Sequence, residues 1–175
     1  QSVEERLGTS TTPDRQFIWG LRGLDDLVLR DRTTTNPLDE RRYACPDANA
    51  NVTAIVDDAG AVTERYEYTP YGVTTVLAPN FTPRTTSTAD WETTYAGYRH
   101  DATTGLFHVR HRFYHPQLGN WLTRDPISYN GGSANLMEYV GARPLDAVDS
   151  LGLQDPLALR ESLMDHFPGL SLPQQ

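Results

Sequence analysis

The sequence predicts a mainly β fold made of antiparallel hairpins, on three observations. Val52, Ala54 and Val56 alternate along one run, and Val62, Glu64, Tyr66 and Tyr68 alternate along the next. A period of two marks half-buried strands and sets their register. Asp57-Asp58-Ala59-Gly60 joins the two runs, and Gly60 tolerates the positive φ of a tight turn. Turn-forming stretches at Asp101 to Gly105 and Pro116 to Asn120 divide the later chain into short segments of strand length.

Taken in order, residues 1–16 give no usable signal. Phe17, Trp19 and Leu21, then Leu27 and Leu29, alternate loosely as one or two strands. The Thr-rich and charged stretch 31–42 reads as an exposed connection, and 43–73 holds the hairpin. Residues 77–94 read as an irregular excursion, since Pro79 and Pro83 disfavour a central strand. Three strands are expected after Tyr95, one of them running unbroken from Leu106 to Tyr114 and the last from Trp121 to Thr123. Asp155 as cap, Pro156 in the first turn and Leu159, Leu163 and Phe167 at i+4 predict a short helical tail.

Composition bounds the function. The chain has 175 residues, enough for one domain or a piece of a larger protein, and a start at Gln1 suggests a piece. A net charge of −8 argues against nucleic acid as partner, which demands clustered cations. All 15 basic residues are arginine. No apolar run nears the ~20 residues of a membrane span, and no secretory signal opens the chain. Cys45, the single cysteine, excludes an intrachain disulfide and reads as a buried or idle thiol.

Residues 124–153, RDPISYNGGSANLMEYVGARPLDAVDSLGL, carry an acid at each end, Asp125 and Asp149. Turn formers at Asn130, Gly131, Gly132, Gly141 and Pro144 allow the segment to fold back on itself. On turn chemistry alone both aspartates also read as simple turn initiators, bonding their own backbone two residues on.

This stretch resembles the end of the RHS-repeat (YD-repeat) core domain, R-D-P-I-G-x-x-G-G-x-N-L-Y-x-Y-V-x-N-x-P-x-x-x-x-D-P-x-G-L. The matches are Arg124, Asp125, Pro126, Ile127, Gly131, Gly132, Asn135, Leu136, Tyr139, Val140, Pro144, Asp149, Gly152 and Leu153. The departures are Ser128 for Gly, Met137 for Tyr and Ser150 for Pro. Residues 43–73 resemble the family's late repeat through Asn51, Val52, Asp57, Gly60, Val62, Glu64, Arg65, Tyr66, Tyr68, Tyr71 and Gly72. Residues 95–126 resemble its G-R-x-x-D-x-x-T-G-L-Y-x-x-x-x-R-Y-Y-D-P-x-x-G-R-F-x-x-x-D-P segment through Gly97, Asp101, Thr104, Gly105, Leu106, Arg112, Tyr114, Pro116, Gly119, Asp125 and Pro126.

The resemblance implies a YD-repeat β-shell, a cocoon plugged by its C-terminal core segment. It divides the chain into weakly assigned strands and a connection (1–42), a YD hairpin with an irregular loop (43–94), the RHS core domain (95–153) and a variable tail (154–175). It implies single-turnover aspartyl autoproteolysis in cis, with Asp125 and Asp149 as acids, Arg124 as supporting cation and Leu153–Gln154 as the scissile bond. Two carboxylates about 4 Å apart repel by roughly 4 kcal/mol at an effective dielectric near 20, which separates their titrations by about three units. One is then ionised to take a proton from water while the other donates to the carbonyl. The implied partners are the chain's own upstream repeats and tail, in a protein that is secreted or on the cell surface.

The alternative is a non-catalytic structural or carbohydrate-binding surface repeat. Trp19, Tyr66, Tyr68, Tyr71, Trp91, Tyr95, Tyr98, Tyr114 and Trp121 would supply its sugar-binding face, against the simpler reading that they pack strands. No cofactor is expected. No metal is expected either: His108 and His111 on one strand would face opposite ways, and His100 and His115 add no ligand spacing.

Overall fold

The computed structural model describes residues 2–153. The predicted helical tail falls on residues 154–175, outside the described residues.

Among the described residues twelve strands form two antiparallel meanders, mainly β as the sequence predicts. The first sheet runs β1 (Glu4–Glu5), β2 (Arg15–Trp19), β3 (Leu27–Arg32), β4 (Glu40–Pro46), β5 (Val52–Val56), β6 (Val62–Tyr68), β7 (Thr74–Leu77) and β8 (Pro83–Arg84), each beside its neighbour in sequence. The second holds β9 (Arg99–Asp101), β10 (Leu106–Val109), β11 (Arg112–His115) and β12 (Asn120–Trp121), again in sequence order. Such an order needs only short local connections.

The β5–β6 hairpin forms over the two alternating runs, with Ile55 opposite Glu64 and Gly60 at φ 77° in the turn. The register shifts between Ile55 and Val56, however, so strict alternation does not hold across the pair. Val52, Ile55 and Tyr66 face a core completed by Leu27, Ala89 and Trp91. Pro83 opens β8, the outer strand of the sheet, where its missing N–H leaves no central ladder bond unmade.

The excursion expected over 77–94 contains a short strand, β8, and is otherwise irregular but anchored. Glu64, wholly buried, accepts hydrogen bonds from Ser87 Oγ at 2.6 Å, from the Thr88 N–H at 2.6 Å and from the Ala89 N–H at 3.3 Å. Arg30, on β3, donates to the Ala89 carbonyl at 2.7 Å, and its guanidinium lies 5.3 Å from the Trp91 ring centre. A buried carboxylate and a buried guanidinium thus satisfy the backbone of a segment with few ladder bonds of its own.

One expected strand is corrected. Leu106 to Tyr114 is a hairpin, β10 and β11, joined by the two-residue turn Arg110-His111, with Val109 opposite Arg112. Arg110 takes φ 38°, a position glycine normally fills, so the turn lacks its usual sequence signature. Side-chain anchoring holds it: Arg110 donates to both carboxylate oxygens of Asp25, at 2.7 and 3.0 Å, and to the carbonyl of Ser150.

The second sheet and the chain after it enclose an aromatic core. Tyr95, Tyr98, Phe107, Tyr114, Trp121 and Tyr139 are all buried there with Val109 and Val140. Tyr114 and Tyr139 approach to 4.3 Å between ring centres. After β12 the chain makes 3-10 turns at Ser128–Gly131 and Val140–Ala142 and returns over the β10–β11 turn. The path back to that turn creates the site.

Candidate active site

Asp125 and Asp149 meet on one nitrogen. Nη2 of Arg112 lies 3.0 Å from Asp125 Oδ2 and 3.2 Å from Asp149 Oδ2, so the two carboxylate oxygens are at most about 6 Å apart, the sum of those lengths. The three side chains are 2%, 8% and 2% exposed for Arg112, Asp125 and Asp149. Arg112 also donates to the Leu136 carbonyl at 3.3 Å and to the Gly152 carbonyl, with its guanidinium 4.2 Å from the Trp121 ring centre. Burial pulls the Arg112 guanidinium below its ordinary value, and Asp125 and Asp149 push it back up.

Arg124, the cation expected from the motif, is exposed, and no hydrogen bond or ion pair of its side chain was found among the described residues. Arg112 occupies the bridging position instead. Its place opposite Val109, one residue past the hairpin turn, is what a single unbroken strand conceals.

The two carboxylates have different surroundings. Asp149 Oδ1 accepts the N–H groups of Gly152 at 2.8 Å, Leu153 at 3.2 Å and Leu151 at 3.3 Å, closing the turn before the end of the described chain. That set of donors suits an ionised acceptor. Gly152 sits at φ 69°, and a Cβ there would lie 2.8 Å from the Val109 carbonyl oxygen, so the chain passes the β10–β11 turn only as glycine. Asp125 Oδ1 accepts a single N–H, that of Ile127 at 2.9 Å.

Asp125 also faces open space. A small cavity of about 20 Å³ is lined by Arg112, Asp125, Ser128, Gly131, Asn135 and Glu138, among others. One water needs roughly 10–15 Å³ of such space. Beside it, a Cβ built on Gly131 would meet Asp125 Oδ2 at 3.1 Å and the Leu153 carbonyl oxygen at 3.6 Å, so these two oxygens flank one glycine. Leu153 is the last described residue, and Gln154, its expected partner in the scissile bond, lies outside the described residues.

Tyr98 completes the surroundings. Its hydroxyl donates to the Asp149 carbonyl at 2.9 Å, accepts the Asp149 N–H at 3.1 Å and lies 3.1 Å from the Tyr139 hydroxyl. Burial holds the Tyr98 phenol well above its ordinary value, so it stays protonated. Nothing in its sequence neighbourhood signals this role.

Of the nine aromatic residues considered for a sugar-binding face, six are buried and Trp19, Tyr68 and Tyr71 are half-buried, and they pack the two cores, the simpler of the two readings. His108 and His111 are exposed, and the ring of His108 lies tilted by 48° against that of Phe113, 5.1 Å between centres. Cys45 is exposed, which removes burial from the two readings of its thiol. Among the described residues no helix is long and apolar enough to cross a membrane.

Two meanders of short antiparallel strands, with a returning segment that buries an Asp-Arg-Asp cluster, make this a mainly β protein built of sequential hairpins. The Teneurin YD-shell profile matches residues 35–136, and the chain belongs to that family. It is 34% identical over 105 residues to the double-stranded DNA deaminase toxin A of Burkholderia cenocepacia, covering 60% of this chain and 7% of that protein. It is likewise 34% identical over 115 residues to toxin subunit YenC2 of Yersinia entomophaga, covering 66% of this chain and 11% of that one. Among solved structures, TcdB2-TccC3-TEV superposes with a TM-score of 0.65 at 27% identity, covering 83% of this chain and 7% of that one. The chain thus spans about a tenth or less of each of these three proteins.

Proposed function

We propose that this chain closes the end of a YD-repeat shell and cuts its own backbone after Leu153, releasing residues 154–175 and whatever follows them. The observation that carries the reading is the meeting of Asp125 and Asp149 on buried Arg112, with Asp125 Oδ2 and the Leu153 carbonyl oxygen both beside Gly131. In this reading 43–94 contributes hairpins to the shell wall, 95–153 forms the self-cleaving core and the tail is the released segment. Two of the relatives described above are named as a toxin and a toxin subunit, which supports a role in toxin delivery by a secreted or surface-borne protein.

The chemistry follows from the differing surroundings of the two acids. Asp149, saturated with N–H donors, holds the turn that presents the Leu153 carbonyl. Asp125 faces the water-sized cavity and takes a proton from the attacking water. The water oxygen bonds to the Leu153 carbonyl carbon, the bond to the Gln154 nitrogen breaks, and Asp125 returns the proton to that nitrogen. Arg112 keeps both carboxylates in place: two negative charges buried with one positive charge would otherwise repel and drift apart. A single turnover in cis needs no substrate-binding cleft, since the chain is its own substrate and proximity is built in.

The test is the intact mass of a chain carrying these residues behind further YD repeats. Loss of everything after Leu153 is expected, and Asp125→Asn and Asp149→Asn should each leave the chain uncut. A wild-type chain that stays whole, or either variant cutting at the wild-type rate, would overturn the reading.

A further inference from the structure

The Tyr98 hydroxyl uses its whole hydrogen-bonding capacity, and two of its three bonds go to one residue. It has one O–H to donate and two lone pairs to accept with. The O–H goes to the Asp149 carbonyl, one lone pair takes the Asp149 N–H, and the Tyr139 hydroxyl fills the other. For one oxygen to bond both the N–H and the C=O of a residue, those groups must point the same way, as they do in extended backbone facing a partner strand. The hydroxyl therefore acts toward Asp149 as a partner strand would, selecting its extended conformation.

The next residue supplies no such restraint. A proline at position 150 would bias Asp149 toward extended geometry by the clash of its Cδ with the preceding backbone, but serine stands there and imposes nothing. The Ser150 N–H donates to none of the hydrogen bonds found among the described residues, so a proline would cost no bond there. Meanwhile the ordering matters at this point of the chain: Asp149 Oδ1 gathers the N–H groups of residues 151, 152 and 153, and a rotated Asp149 backbone would release all three.

We infer that Tyr98 is a positioning residue for the cleavage site, its hydroxyl holding Asp149 in the geometry that a proline after it would otherwise impose. The inference rests on the self-cleavage reading for its consequence but not for its geometry, and the two are tested separately. Tyr98→Phe keeps the ring that packs against Tyr95, Phe107 and Tyr139, with centres 6.1–6.4 Å away, and removes only the hydroxyl.

Cleavage is followed by intact mass against time in four chains: wild type, Tyr98→Phe, Ser150→Pro and the double variant. Tyr98→Phe is expected to cut about tenfold more slowly, the effect of one to two hydrogen bonds. Ser150→Pro is expected to speed the double variant relative to Tyr98→Phe by about threefold or more, while changing the wild type little. Equal effects of Ser150→Pro in both backgrounds, or a Tyr98→Phe chain cutting at the wild-type rate, would overturn the inference. Amide hydrogen exchange at Asp149, measured in the Asp125→Asn background, decides the matter without cleavage. Tyr98→Phe should raise the Asp149 exchange rate by about tenfold or more, and an unchanged rate sinks the clamp whether or not the wild type cuts.

Discussion

Replacing Arg112 by methionine should unbalance the site more than any other single change. The guanidinium pairs with Asp125 at 3.0 Å, donates to Asp149 at 3.2 Å and to the Leu136 carbonyl at 3.3 Å, and covers the Trp121 ring at 4.2 Å. Methionine preserves the apolar stem and supplies none of the donors, leaving two carboxylates buried side by side. Removing one partner of a buried ion pair costs about 3–5 kcal/mol. With two acids and two carbonyls stranded here, the upper half of that range is expected. This is a large share of a domain's stability, typically about 5–15 kcal/mol. Urea unfolding followed by tryptophan fluorescence measures it, and intact mass should show no cleavage. The triple variant Arg112→Met, Asp125→Asn, Asp149→Asn keeps the argument testable if the single variant does not fold. It removes the stranded charges together, so it should regain at least half of the loss while remaining uncut. A single-variant loss below about 1 kcal/mol, or a triple variant no more stable than the single, would refute the claim that Arg112 holds the two acids.

Three further outcomes are expected. Gly152→Ala forces an L residue into φ 69° with its Cβ 2.8 Å from the Val109 carbonyl oxygen; it should lose about 2–4 kcal/mol in urea unfolding and cleave slowly or not at all. For Glu64, burial pushes the carboxyl up, but the donors Ser87, Tyr66, Thr88 and Ala89 outweigh it and leave it below its ordinary 4.5. Such a group stabilises the fold above its unfolded value, and that stabilisation is lost as pH falls through the lower folded value. Glu64→Gln should therefore cost about 1–3 kcal/mol at neutral pH, with the gap to wild type narrowing below about pH 4 in parallel denaturation series. A gap that widens on acidification would contradict the hydrogen-bonded carboxylate. Phe107→Ala, at a wholly buried ring in the second core, should cost about 3–5 kcal/mol by the same assay.

Much of this fold is written in local pattern. The β5–β6 hairpin was readable because Val52 to Val56 and Val62 to Tyr68 alternate and Gly60 sits between them, all within the span of a single turn. The outer position of β8 follows from Pro83 in the same local way. The β10–β11 turn escaped because Arg110 and His111 carry no turn signature, and its positive φ is held by Asp25, from a distant loop. The anchoring of Ser87 to Asp90 escaped for a like reason: Glu64 reads as one more member of an alternating strand until the segment that it binds is laid over it.

Sequence alone determined the class of strand pairing, the family and the two aspartates worth attention, because periodicity, turn chemistry and motif spacing act over a few neighbouring residues. Only the tertiary structure decided which cation bridges those acids. Arg124 stands next to Asp125 along the chain yet points to solvent, whereas Arg112 reaches both because the β10–β11 turn and the returning segment are packed against each other. It likewise decided that Tyr98 grips the backbone of Asp149, since a hydroxyl satisfies whatever polar groups burial brings to it, and burial is a property of the whole packed chain.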